Sequence, residues 1–262
     1  VTAYKHGTSP FLSVVIPAYN EACRLPPYLQ SIVEHLNHQR RPYEILVVDD
    51  GSEDRTAEIV ELFSRQHPAI RLFRLARHSG KGAAVRAGML AAEGQLRLFA
   101  DADGATPIEE LERLEAAISN GADLAIGSRT LASRDPRYRV QARLHRTVLG
   151  NLFNRIVRCL GIRNISDTQC GFKLFRKPTA QDLFSVSRIC GYGLDLELLY
   201  VAQRRGYRIA EVPINWIDQP GSKVRVVRDG LATLYEMLVI RRNYARGCYA
   251  ALRASPSPAH IS

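Results

Sequence analysis

The chain has 262 residues, 46% of them hydrophobic, enough for one large domain with a substantial core, and it holds no low-complexity tract. No run of about eighteen apolar residues occurs, so a membrane-spanning helix is not expected. The formal net charge of +10 is uneven: residues 1–130 hold 14 Lys+Arg and 17 Asp+Glu (net −3), while residues 131–262 hold 22 and 9 (net +13). That polarity predicts an anionic partner for the second half: nucleic acid, a membrane surface or a phosphate-bearing substrate. The opening "VTAYKHGTSP" lacks a signal pattern, which predicts a cytoplasmic location. Five cysteines (Cys23, Cys159, Cys170, Cys190 and Cys248) fit neither zinc nor CxxC spacing and read as reduced thiols.

In chain order, Phe11–Glu21 reads as a buried strand ending in a loop, and Pro26–Asn37 as a helix with prolines at its start. Tyr43–Gln66 is strand, acidic turn, helix, with Ser52 the expected N-cap. "IRLFRLA" is a short strand, and Gly80–Gly94 an alanine-rich helix behind a Gly-Lys-Gly turn. "QLRLFADADG" is a strand, "PIEELERLEAAISNG" a helix, and "ADLAIGSR" a strand. Strands alternating with helices at short spacing predict an α/β fold, Rossmann-like, with a mostly parallel sheet flanked by helices.

Such sheets bind ligands beyond the carboxyl ends of their strands. Asn20 and Glu21, Asp49 and Asp50, Asp101 and Asp103, and Ser128 and Arg129 all fall there, which suggests one site. On an extended backbone Asp101 and Asp103 would project from the same face. Brought near ~4 Å, two carboxylates repel by about 4 kcal/mol at an effective dielectric of 20. A divalent cation removes that penalty, and oxygen ligands favour Mg²⁺ or Mn²⁺, often with phosphate oxygens. The pair therefore reads as a metal–diphosphate site, with a solvated acidic turn as the alternative. Asp49 and Asp50 either cap the next helix or bind a nucleoside. Lys81 either reaches a nucleotide or is a solvated lysine at a helix start, since the full P-loop pattern is absent.

In the basic half, Arg143–Gly161 has apolar residues recurring every four positions, and eight arginines against one acid lie between Arg134 and Arg163. This is a basic amphipathic helix, either on an anionic membrane or docked on the sheet. Leu231–Leu252 repeats that character. "ISDTQCGFKLF" (Ile165–Phe175) reads as a binding loop rather than a strand interior, with Cys170 a packing residue. Asp195 and Glu197 either line the site or merely begin a helix.

The ordered set "VVIPAYNE", "VVDDGSEDRT", "GKGAAVRAG", "DADG", "IGSR", "DTQCGFKLF", "EVPINW" and "GSKV", over roughly residues 11–225, resembles the family-two glycosyltransferases of the GT-A fold. Within that family it most resembles the dolichyl-phosphate β-glucosyltransferases; the dolichyl-phosphate mannose synthases, using GDP-mannose, are more distant. The resemblance implies UDP-glucose as donor, a polyprenyl phosphate as acceptor, and Mg²⁺ or Mn²⁺ as cofactor. Pro17, Tyr19, Glu21 and Asp50 would hold the uridine, with Lys81 nearby. Asp101 would lie at the ribose–metal edge, Asp103 would ligate the metal, and Gly104 would leave room for the diphosphate. Arg129, with Arg143 or Arg146 and Thr147, would meet the acceptor phosphate, and Lys223 would offset leaving-group charge. Asp103, Arg129 and Asp167 carry the catalytic expectation, with Asp167 orienting or deprotonating the acceptor.

Two further arrangements follow from the resemblance. The first is a catalytic domain over residues 1–230, with a nucleotide-sugar half (11–130) and an acceptor half (131–230), followed by a basic amphipathic segment and tail (231–262). The second is a peripheral position on the cytoplasmic face of a membrane, held by the basic amphipathic helices; a homo-oligomer is also compatible. Competing readings are a family-two enzyme acting on a soluble hydroxyl, and a basic nucleic-acid-binding protein. The second of these is opposed by acids at the strand ends and by the absence of a recognition motif.

Overall fold

A computed structural model describes residues 9–141, 153, 155–221 and 226–250. Its centre is a seven-stranded sheet in the order β3-β2-β1-β4-β7-β5-β8. The strands are β1 (Leu12–Ala18), β2 (Tyr43–Asp49), β3 (Ile70–Arg74), β4 (Leu96–Ala100), β5 (Leu124–Ser128), β7 (Phe172–Arg176) and β8 (Ile209–Pro213). A two-stranded sheet joins β6 (Val140–Gln141) to β9 (Trp216–Ile217). β1, β2, β3 and β4 run parallel, as do β5 and β8, and β7 lies antiparallel between β4 and β5.

The central strands are apolar almost without interruption because both faces are covered. Alternate residues serve opposite layers. Val14 and Ile16 face α1 (Leu25–Gln39) and α4 (Leu111–Ser119), while Val15 faces α3 (Lys81–Ala91), α7 (Lys177–Val186) and α8 (Leu194–Arg204). Helix α1 shows why such a segment docks: Leu25, Tyr28, Leu29, Ile32, Val33 and Leu36 recur at helical spacing and are all buried. Each such side chain contributes about 1.5–3 kcal/mol on leaving water.

The expected strands and helices through Ser128 are present, but three local expectations are corrected. Ser52 does not cap α2 (Thr56–Gln66); its hydroxyl accepts the Asn20 N–H, and Asp54 accepts the Thr56 N–H instead. "ISDTQCGFKLF" is a loop only as far as Gly171, because Phe172–Arg176 is a central strand. Its Phe-Lys-Leu-Phe alternation is that of a two-sided core strand, in which the lysine is buried and paired. Asp101 and Asp103 lie in a turn rather than on extended backbone.

In the basic half, much of the expected helix lies outside the described residues. Within them, 155–159 form a short helix (α6) whose Val157 is buried in the core, with Phe153 packed against it. The last helix, α9 (Val226–Ala245), begins before the expected boundary at 230/231. It buries Thr233, Met237 and Ile240, and exposes Leu231, Tyr235 and Leu238 by 64%, 68% and 53% on its outer side. Among the described residues no helix is long and apolar enough to cross a membrane.

Candidate active site at the carboxyl edge of the sheet

The register sets the site. Ala18 pairs with Asp49, and Ala100 with Phe172, so β1, β2 and β4 end at one edge and the loop entering β7 starts there. The strand order turns about β1, with β2 on one side and β4 on the other, which opens a crevice at that edge. A hollow of about 380 Å³ lies in it, lined by Pro17, Tyr19, Glu21, Asp50, Lys81, Asp101 and Asp103, together with Arg24, His78, Tyr192 and Arg228. A second hollow, of about 760 Å³, shares Glu21, Arg24 and Asp103 and adds Tyr28, Gly104 and Gln219.

On the β1–β2 side the carboxylates organise loops. Buried Asp50 accepts the N–H groups of Ser79 (2.7 Å) and Gly80 (2.9 Å), and its Oδ2 is 2.9 Å from His78 Nδ1. It thereby fixes the turn that delivers Lys81. Asp49 accepts the Ser52 N–H at 3.0 Å and shapes its own turn. The His78 ring stacks on Tyr19 with centroids 4.1 Å apart.

At the end of β4 the two acids face different cations. Asp101 Oδ1 is 2.7 Å from Lys81 Nζ, which also lies over the Phe99 and Tyr192 rings. Burial opposes the Lys81 charge, but Asp101 and then Asp195 outweigh it and raise its pKa above the ordinary value. Asp103 accepts the Ala105 N–H at 3.0 Å and lies 3.6 Å from Arg24 Nη1. Burial first, and then the charge of Asp101, push the Asp103 carboxyl above its usual range. Gly104 has φ +66°, and a Cβ there would stand 3.1 Å from the Tyr28 ring. The left-handed backbone and the Tyr28 ring both favour glycine at this position, which also lines the second hollow.

At the end of β5, Ser128 caps α5 (Arg129–Ala132) by accepting the Leu131 N–H, and donates to Glu211 at 2.7 Å. Arg129 grips Asp167 through Nε (2.7 Å), Nη2 (2.8 Å) and its backbone N–H (3.0 Å). Burial raises the Asp167 pKa and Arg129 lowers it; the arginine prevails, so the acid stays ionised below the ordinary range. The Glu211 carboxylate accepts the N–H groups of Ser166 and Asp167, which fixes where the loop begins.

Gly171 and Arg24 escaped sequence reasoning, and Lys173, read there as part of a binding loop, lies on a core strand. Lys173 is fully buried on β7, ion-pairs with Asp195 and donates to the Thr168 carbonyl at 3.1 Å. Gly171 accepts the Asp101 N–H at 2.9 Å, and a Cβ on it would fall 2.0 Å from Asp101 Oδ2. The loop from Asp167 to Gly171 therefore joins the Arg129 pair to Asp101. A lysine at an apolar strand position was the available signal for Lys173; no sequence signal marks Gly171 or Arg24. Asp195 and Glu197 both anchor structure: Glu197 accepts from Arg188 N, Ile189 N and Tyr249 Oη. Burial pushes the Cys170 thiol up to about 12, as suits a packing residue. Arg143, Arg146, Thr147 and Lys223 lie outside the described residues.

No group of three or more His, Cys, Asp or Glu side chains suited to a metal occurs among the described residues. Asp101 and Asp103 offer two carboxylates. That set fits a Mg²⁺ or Mn²⁺ ion whose remaining ligands are phosphate oxygens and water.

The glycosyl transferase family 2 model matches residues 13–184, which span β1 to α7. The chain belongs to that family and is a hexosyltransferase with the GT-A fold. Among curated relatives, the dolichyl-phosphate beta-glucosyltransferase of Dictyostelium discoideum is 36% identical over 250 residues, covering 91% of this chain and 76% of that protein. The dolichyl-phosphate beta-glucosyltransferase of Homo sapiens is 36% identical over 251 residues, covering 91% and 77%. Among solved structures, glucosyl-3-phosphoglycerate synthase from Mycobacterium tuberculosis, in complex with Mn²⁺, UDP-glucose and phosphoglyceric acid, aligns with a TM-score of 0.63 at 19% identity. The alignment covers 87% of this chain and 79% of that one.

Proposed function

We propose that this chain transfers glucose, with inversion, from UDP-glucose to a polyprenyl phosphate of the dolichyl type. The observation that carries this reading is the meeting of Asp101, Asp103 and Lys81 in one hollow, in a chain 36% identical to dolichyl-phosphate beta-glucosyltransferases over 91% of its length; Arg129 lies outside that lining, at the end of β5. Pro17, Tyr19 and Asp50 form the uridine end, with Glu21 beside them. Asp101 and Asp103 hold the divalent metal, which when bound neutralises the diphosphate. Arg129 faces the acceptor phosphate, joined by Arg143 or Arg146, Thr147 and Lys223. Residues 11–130 serve the donor and 131–230 the acceptor.

The acceptor phosphate is already anionic. One of its oxygens attacks the anomeric carbon, the bond from that carbon to the UDP oxygen breaks, and UDP leaves with the electron pair. Lys81, held charged at the edge, and Arg129 stabilise charge that develops during the transfer. No proton must be removed, which agrees with Asp167: its oxygens are occupied by Arg129, so it positions the arginine rather than acting as a base. A hydroxyl acceptor would need a base that this loop does not offer. The outward apolar side of α9, with Arg241 and Arg242 also exposed, suits peripheral contact with an anionic membrane on its cytoplasmic face.

The test is a donor panel with mass detection of product, with and without Mn²⁺ and polyprenyl phosphate. A hexosyl-phosphate lipid from UDP-glucose, absent with GDP-mannose and dependent on metal, is expected. UDP release unaffected by any lipid phosphate but stimulated by a soluble hydroxyl acceptor would overturn the acceptor assignment.

A further inference from the structure

Arg24 stands in an odd place. It occupies the N-cap of α1 with no capping hydrogen bond from its side chain, and the first turn of that helix holds no acid. A cation there opposes the helix dipole. What holds it is Glu21, through Nε (2.7 Å) and Nη2 (2.5 Å), and beyond Glu21 the edge of the site. Arg24 Nη1 is buried with no hydrogen-bond partner, yet it lies 3.6 Å from Asp103 Oδ2. Both hollows of the crevice are lined by this side chain.

The charges at this point can be counted. Among the groups in direct ion contact, three acids (Glu21, Asp101 and Asp103) are met by two cations (Arg24 and Lys81); Asp50, held by backbone N–H groups and His78, and Arg228 and Asp229 also line the hollow. Without nucleotide, a divalent cation therefore meets carboxylates already largely neutralised, and Arg24 lies against the oxygen it would take. A nucleoside diphosphate changes that balance, because its phosphates attract both the metal and the guanidinium.

We infer that Arg24 is a resident counter-cation for Asp103 that holds off divalent metal in the nucleotide-free protein and turns to the diphosphate when metal and nucleotide enter together. The inference rests on Asp101 and Asp103 being the metal site of the proposed function. It makes metal affinity depend on nucleotide through one side chain.

Mn²⁺ binding, followed by loss of the free-ion electron paramagnetic resonance signal, tests it without turnover. The wild type, Arg24→Met, Arg24→Gln and Arg24→Lys are titrated with and without UDP. Without UDP, Arg24→Met and Arg24→Gln are expected to bind Mn²⁺ at least about fivefold more tightly than the wild type, the lower bound set by one unit-charge contact near ~4 Å in bulk water. Arg24→Lys should stay near the wild type. With UDP the wild type should tighten sharply and the two neutral variants much less. Unchanged or weaker Mn²⁺ binding by a folded neutral variant, in a wild type that binds Mn²⁺ with UDP, overturns the counter-cation role alone. A wild type that binds no Mn²⁺ even with UDP overturns the metal site and the inference together.

Discussion

The two sides of the crevice spend their carboxylates differently. On the β1–β4 side, Asp101 and Asp103 are met by Lys81 and by Arg24, long side chains whose heads lie at a lined hollow. On the β5–β7 side, Asp167 and Asp195 are sealed into ion pairs with Arg129 and Lys173, and both acids are buried. The first arrangement can exchange its cations for a ligand's. The second keeps its acids paired: Lys173 and Asp195 serve as a frame, while Arg129, partly exposed, can meet a ligand only as it goes on holding Asp167. Under the proposed function Asp101 and Asp103 are binding groups, whereas Asp167 and Asp195 are struts.

The sharpest way to break that contrast is at Lys173. Lys173→Met should destabilise the protein by about 3–5 kcal/mol in urea unfolding, because Asp195 is left buried without its partner. The double change with Asp195→Leu should recover most of the loss; no recovery would mean the pair matters for something besides charge. Next comes the joint between the two sides. Gly171→Ala would drive a methyl group into the Asp101 carboxylate, and turnover should fall on the order of 10²-fold, as expected for about 1 Å of misplacement. UDP release per folded molecule checks it, and a loss confined to stability would make Gly171 a packing residue only.

A smaller effect separates strut from base at Asp167. Its native pKa is depressed, so its contribution to stability is present above the unfolded value of about 3.9 and is lost as pH falls through the native one. Asp167→Asn should therefore lower Tm near neutrality, and the gap from wild type should close on acidification. Its pH–rate profile at neutral pH should keep its shape, because no proton-accepting group is lost. Loss of the wild type's acidic limb, the fall in activity as pH drops, would instead restore Asp167 as a base. Smallest is the effect at the outer side of α9: Tyr235→Asp should change stability by no more than about 0.5 kcal/mol while weakening binding to anionic vesicles. Unchanged sedimentation with such vesicles would remove α9 from the membrane contact.

The parallel half of the fold was legible because its strands are mainly apolar runs, broken by few polar residues such as Arg97 and closed by polar loops, and the same runs point Glu21, Asp50 and Asp101 to one edge. The antiparallel half was less so. "GFKLF" carries a lysine where a core strand forbids an unpaired charge, and only the tertiary position of Asp195 resolves the conflict. The chemistry of Asp101-Ala102-Asp103 was visible, but its geometry was not. A turn places the two acids toward different cations, and those cations come from Arg24 and Lys81, far apart in sequence. Gly171 was invisible for a similar reason: what requires it is a side chain seventy residues earlier.

The central claim is that Asp101 and Asp103 form a working metal–diphosphate site rather than an acidic turn. Metal-dependent UDP release from UDP-glucose with a polyprenyl phosphate acceptor, measured for wild type and Asp103→Asn alongside Tm, tests it most directly. The account predicts that Asp103→Asn loses turnover by at least about 10²-fold, on the scale of losing one electrostatic stabiliser, with Tm little changed. An Asp103→Asn protein that turns over like wild type, or that loses activity only because it unfolds, would contradict it.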